Sequence, residues 1–223
     1  MSPALSLPPT LFSQLVGLLS FAVLAVAFLL VWRQSLPGRL ALFAVQSGLL
    51  AVLAGVVGAF TGKKELLLVA LGVLAIKGWG IPRALARVVP ALPRPVGPAR
   101  SPAGLLLGAA ALVPVAYAVV LPVTRELPLP TAGGLPLALA TGLIGLFLCV
   151  TARRALTQVL GFLVFENGVF MLALLATYGL PVIVEAGAFL DILVAVLIAK
   201  AVLGEIGESF ESTDVERLRE LRG

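Results

Sequence analysis

Four charged side chains sit inside long apolar runs: Lys77, Glu166, Glu185 and Asp191. Lys77 and Glu166 lie near the middle of their runs, and Asp191 lies nearer the centre of its run than Glu185 does. A charged residue at the centre of a membrane span costs roughly 2.5–3.5 kcal/mol, so Lys77, Glu166 and Asp191 together imply about 8–10 kcal/mol before pairing. That sum is comparable with the net stability of a whole domain, about 5–15 kcal/mol. Such groups must face the interior of a bundle or a partner subunit, paired or hydrated. Surroundings of low dielectric disfavour the charged form of acids and amines alike, which lets either type accept and release a proton. The competing role is static, with buried ion pairs fixing helix register.

Helical geometry restricts which of these groups can meet. Glu185 and Asp191 are six residues apart, which sets them about 120° apart around a helix axis. They cannot both point at one partner helix. Asp191 and Lys200 are nine apart and face opposite ways, which argues against a direct bridge between them. Lys200 and Arg83, close to the ends of their runs, are expected to snorkel to the interface. Gln46, Ser47, Asn167 and Thr177 are polar neighbours suited to holding water or hydrogen bonds between charged sites.

The remaining inventory excludes most catalysts. The chain has no histidine and one cysteine, Cys149. An internal disulfide, a Cys/His zinc site and a haem site are therefore excluded. Cys149 lies in an apolar run and is expected to pack as a small hydrophobe. Without histidine, the usual proton shuttle at neutral pH is missing. No glycine-rich phosphate loop ending in Lys-Ser/Thr is present, nor a nucleophile with a histidine partner. The expectation is a chain with no catalytic centre and no metal site of its own.

The elements that must position these residues follow from composition. Of 223 residues, 60% are apolar and 12% are charged. Soluble domains carry roughly 45–50% apolar and about 25% charged residues, so a soluble globule is excluded. Intrinsic disorder is excluded too, because it needs low hydrophobicity and high charge. The net charge of +5 does not point to nucleic acid, since most basic residues fall in short gaps between apolar runs, where they set membrane orientation.

Seven runs are long enough to span a membrane as helices, at 10–32, 39–60, 66–89, 102–122, 133–151, 157–178 and 181–203. The gaps carry turn chemistry: Pro37-Gly38, then 61–65, a proline-rich 90–102, 125–134, and Gly179-Leu180-Pro181. No Lys or Arg precedes the first run, so it reads as a retained helix rather than a signal peptide. One set of gaps holds Arg33, Arg39, Arg83, Arg87, Arg94, Arg100, Arg153 and Arg154, while the other holds Lys63, Lys64 and Arg125. The arginine-rich side is expected to be cytoplasmic, with the N-terminus outside and the C-terminus inside. The expected fold class is an all-α, polytopic integral membrane bundle of about seven helices in the cell inner membrane. Residues 1–100 would form a three-helix part with the proline-rich loop, 101–204 a four-helix part, and 205–223 a cytoplasmic tail. In the tail, Thr213 and Glu216 fit a capping box, and Val215, Leu218 and Leu221 fit a short apolar stripe. That tail is either a small surface helix or a frayed polar end. The Gly104–Gly108 spacing is of the kind that lets helices approach closely.

The run Gly161-Phe162-Leu163-Val164-Phe165-Glu166-Asn167-Gly168, followed by Glu185-Ala186-Gly187-Ala188-Phe189-Leu190-Asp191, resembles component E of hydrogenase-4. Gln46-Ser47, Lys77 with Pro82 five residues on, the spacing of the apolar runs and Asp214-Val215 also look like that family. The specific part of the likeness is about 158–203, which is similar to subunit K of complex I and to a small subunit of multisubunit cation/proton antiporters. By this resemblance Glu166 matches one carboxylate of the K-type subunit. Asp191 occupies the place of the second, a glutamate in complex I. The resemblance implies a non-catalytic membrane subunit of a complex I-like, group 4 nickel–iron hydrogenase. Glu166, Asp191 and Lys77 would relay protons or sodium ions, and Glu185 would stand where the ion enters or leaves. Gln46, Ser47 and Asn167 would support them. The nickel–iron centre and the iron–sulfur clusters would belong to peripheral redox subunits, and antiporter-like subunits would be membrane partners. A cation/proton antiporter subunit without a redox module, or a purely structural subunit, are the alternatives.

Overall fold

The computed structural model describes residues 9–88, 101–126 and 129–179. The seventh apolar run, with Glu185, Asp191 and Lys200, lies outside the described residues, as do most of the proline-rich loop and the 205–223 tail. Among the described residues every element is helical: α1 (Pro9–Trp32), α2 (Leu36–Thr61), α3 (Lys64–Val73), a π-helical turn (Leu74–Gly80), α4 (Ile81–Val88), α5 (Pro102–Glu126), a 3-10 turn (Ala132–Gly134), α6 (Leu135–Thr151) and α7 (Ala155–Ala176). Six stretches are long and apolar enough to cross a membrane, with α3, the π turn and α4 together making the third.

α5 continues through Pro122 to Glu126, four residues past the expected end of its run, and holds Arg125 in its last turn. Two further differences from the sequence expectation have a physical reason. Turn chemistry alone puts a break between the first two runs at Pro37-Gly38. The structure places both residues in the first turn of α2, so the connection is 33–35. A proline there loses no hydrogen bond, because the first turn's N–H groups have no helical partner. The third run, expected as one regular helix, widens into a π turn just before Pro82. Pro82 brings no N–H, so the regular ladder cannot continue through it. The wider turn instead bonds the Ile81 N–H to the carbonyl five residues back, at Ile76.

The turn after α2 is closed by Gly62, at φ +70°, with the Lys63 N–H on Gly58 O at 3.1 Å. That left-handed glycine followed by a six-to-one bond is a Schellman ending. Lys63 Nζ reaches the carbonyls of Tyr178 and Gly179, both at 2.9 Å, which ties this turn to the end of α7.

Packing places α2 at the centre of the site. It touches α1, α3, the π turn, α4 and α7, while α6 packs on α7, α1 and α5. The α6–α7 pair is the closest. A Cβ on Gly145 would fall on the backbone of Phe165, one on Gly161 on the backbone of Cys149, and one on Gly168 on the backbone of Gly142. Only glycine permits backbones that near. The Gly104–Gly108 pair does less: Gly104 faces open space and Gly108 meets the ring of Phe147. Of the most apolar stretch of α6 and of α7, 61% is buried, against 17% for α5. The core therefore runs through α1, α2, α6 and α7, and α5 lies at the rim.

Candidate functional site

Five of the sequence-selected residues meet halfway along the bundle. α2 supplies Gln46 and Ser47, the π turn supplies Lys77, and α7 supplies Glu166 and Asn167. Lys77 and Glu166 are 1% and 3% exposed, and the other three are fully buried. Neighbouring residues on a helix point about 100° apart. Burial of both Gln46 and Ser47, and of both Glu166 and Asn167, therefore needs packing on two sides of α2 and α7. The contacts of α2 with α1 and α7 and of α7 with α6 provide it. The π turn then delivers Lys77 inward while its neighbours Ile76 and Trp79 stay 38% and 64% exposed.

Lys77 Nζ lies 3.4 Å from Glu166 Oε2 and donates to Asn167 Oδ1 at 3.2 Å. An ammonium only donates, so its contact fixes the orientation of the Asn167 amide. The Asn167 Nδ2 group then faces away, donating to Gln46 Oε1 at 3.2 Å and to Ser47 Oγ at 3.4 Å. Gln46 is oriented in turn, because its oxygen is taken and its Nε2 donates to Val23 O of α1 at 3.2 Å. The result is a directed chain from cation to amide to amide to helix carbonyl, crossing the π turn, α7, α2 and α1. Each bond in such a chain polarises the next.

Among the described residues the arrangement carries one amine and one carboxylate in contact. Pairing offsets much of the desolvation cost of each ion only when the remaining hydrogen-bonding capacity is also met. The amide chain does this on the lysine side. Glu185 and Asp191, assigned to the same relay from the sequence, lie outside the described residues.

Arg39 is the buried charge that sequence reasoning passes over. Counted with the loop arginines, it is in fact only 7% exposed, in the first turn of α2. Its Nε donates to Leu30 O at 3.2 Å and to Arg33 O, and Nη1 donates to Thr157 Oγ1 at 3.4 Å. The guanidinium thus satisfies carbonyls left over at the end of α1 and pins them to the start of α7. The signal is Pro37, which belongs in a helix's first turn and so puts Arg39 inside the helix. The π turn has a signal as well, in Gly78, Gly80 and Pro82 crowded around Lys77. The backbone of Cys149 lies against Gly161, and the residue is half-buried with a free thiol.

No known family profile matches the chain, and no solved structure matches it. A protein of Mycobacterium tuberculosis named "Uncharacterized protein Rv0085" is 36% identical over 214 residues, which covers 95% of this chain and 97% of the relative. A likeness of that extent takes in both halves of the bundle and not just one apolar helix. The chain therefore belongs to the same family as this mycobacterial protein.

Proposed function

We propose that the chain is a non-catalytic membrane subunit of a complex I-like respiratory hydrogenase, passing protons or sodium ions along a line of buried charges. The observation that carries this reading is the Lys77–Glu166 pair, held halfway along apolar helices by Asn167, Gln46 and Ser47. A relay needs titratable groups at that depth, where charged side chains are otherwise rare. In this reading the seventh run is a seventh span that adds Glu185 and Asp191. The N-terminus is outside, the arginine-rich ends face the cytoplasm, and the protein resides in the inner membrane. Redox chemistry, with its nickel–iron and iron–sulfur centres, belongs to partner subunits, beside antiporter-like membrane subunits. The resemblance of 161–191 to component E of hydrogenase-4 supports the choice of partners.

The test is Glu166→Gln and Asp191→Asn, each made in the assembled complex. The relay predicts redox activity retained with ion translocation lost or greatly reduced. Unchanged redox-driven translocation in both variants rejects it.

The same geometry favours one competing reading. A buried ion pair backed by amides that join four elements is also what a register lock would use. A lock predicts that Glu166→Gln lowers the amount of assembled complex while leaving translocation per intact complex normal. A cation/proton antiporter subunit would share the relay but purify without hydrogenase-like and iron–sulfur subunits.

A further inference from the structure

The outward face of the Lys77 segment has its own chemistry. A groove of about 450 Å3 runs between the early turns of α2 and the far side of the π turn and α4, walled by Leu40, Ala41, Ala44, Gly78 and Trp79 with Arg83 at its rim. The Arg83 guanidinium lies 5.2 Å from the centroid of the Trp79 ring, a cation–π contact that orients it. α4 is sharply two-faced. Ile81 and Leu85 are buried, while Arg83 and Arg87 are exposed and four residues apart, so they project from one face.

Charge decides the occupant. Among the described residues the acidic side chains are Glu65, Glu126 and Glu166. Glu65 and Glu126 lie at the opposite end of the bundle from α4, since Glu65 follows the turn after α2 and Glu126 ends α5. Glu166 is committed to Lys77. No ion pair joins Arg33, Arg83 or Arg87 to any described residue. An apolar slot opening at a helix end onto arginines with no acidic partner among the described residues matches a molecule with a hydrocarbon chain and an anionic head. Guanidinium groups suit phosphate, which they hold with paired hydrogen bonds. Basic pockets between spanning helices take anionic head groups for the same reason.

We infer that this groove is a binding site for an anionic phospholipid, with an acyl chain along Leu40, Ala41, Ala44 and Gly78 and the phosphate held by Arg83 and Arg87. The inference needs only that the helices cross a membrane, and it is independent of what the buried pair does. A lipid seated there covers the outer side of the π turn whose inner side carries Lys77.

The test uses full-length protein extracted from its own membrane and exchanged into mixed micelles of phosphatidylglycerol and phosphatidylcholine. Native mass spectrometry reads the lipid retained, and thermal unfolding checks that each variant is folded. Wild-type protein should retain phosphatidylglycerol in preference. The exposed double variant Arg83→Ala/Arg87→Ala should lose about thirtyfold of that preference, at roughly 1 kcal/mol per basic residue near a charged membrane surface. Ala41→Phe, which fills the slot and leaves the arginines intact, should lower retention of both lipids. Equal retention of the two lipids by wild-type protein, or an undiminished preference in the double variant, would overturn the proposal. So would a photo-crosslinker at position 41 that reacts with residues 181–203 and not with lipid.

Discussion

α5 and the α6–α7 pair are built from similar material and used in opposite ways. The most apolar stretch of α5 matches those of α6 and α7 in hydropathy, yet 17% of it is buried, against 61% for each of them. In water the more apolar helix would be driven deeper. In lipid that drive vanishes between helices, and close fit decides which of them pack. Gly142, Gly145, Gly161 and Gly168 let α6 and α7 approach to backbone contact, whereas α5 offers Gly108 to one aromatic ring and leaves Gly104 open. The tight pair is also what holds Glu166 and Asn167 steady against α2 and the π turn.

Breaking that contrast should give effects of very different size. Gly145→Leu puts a side chain where the Phe165 backbone stands, so no folded protein should be recovered from membranes by size-exclusion chromatography. Gln46→Leu comes next. It keeps the volume but strips the Asn167 amide of its main acceptor, and should cost about 1–3 kcal/mol in thermal unfolding. Leu107→Ala, at an α5 residue that is 73% exposed, should change stability by no more than about 0.5 kcal/mol by the same measurement. A large loss at Leu107 would place α5 against another surface and end the distinction.

What the sequence discloses about the site follows from how unusual each feature is. A charge inside a 20-residue apolar run stands out, so Lys77 and Glu166 can be singled out by residue type and position alone. So can Gln46, Ser47 and Asn167, as polar residues within such runs. That Lys77 meets Glu166 across 89 positions cannot be read from the sequence, because nothing local encodes which helices adjoin. The glycine contacts of α6 and α7 are hidden for the opposite reason. Small-residue spacings recur throughout a chain with 23 glycines, and Gly104–Gly108 looks no worse than the set that packs. Arg39 escapes notice through a shift of a few residues in the helix start at Pro37, enough to turn a buried cap into a loop charge. The six described spans follow the apolar runs, with ends that differ by up to four residues, as at α5, which continues from 122 to Glu126.

The claim on which the site depends is that Lys77 and Glu166 form one buried, mutually dependent pair. A double-mutant cycle of Lys77→Met, Glu166→Leu and the two combined, measured by unfolding of full-length protein in lipid nanodiscs, tests it most directly. Each single change should cost about 3–5 kcal/mol by stranding the partner's charge, and the combined variant should recover most of that loss. Singles that sit near wild type, or losses that simply add in the combined variant, would contradict the pairing.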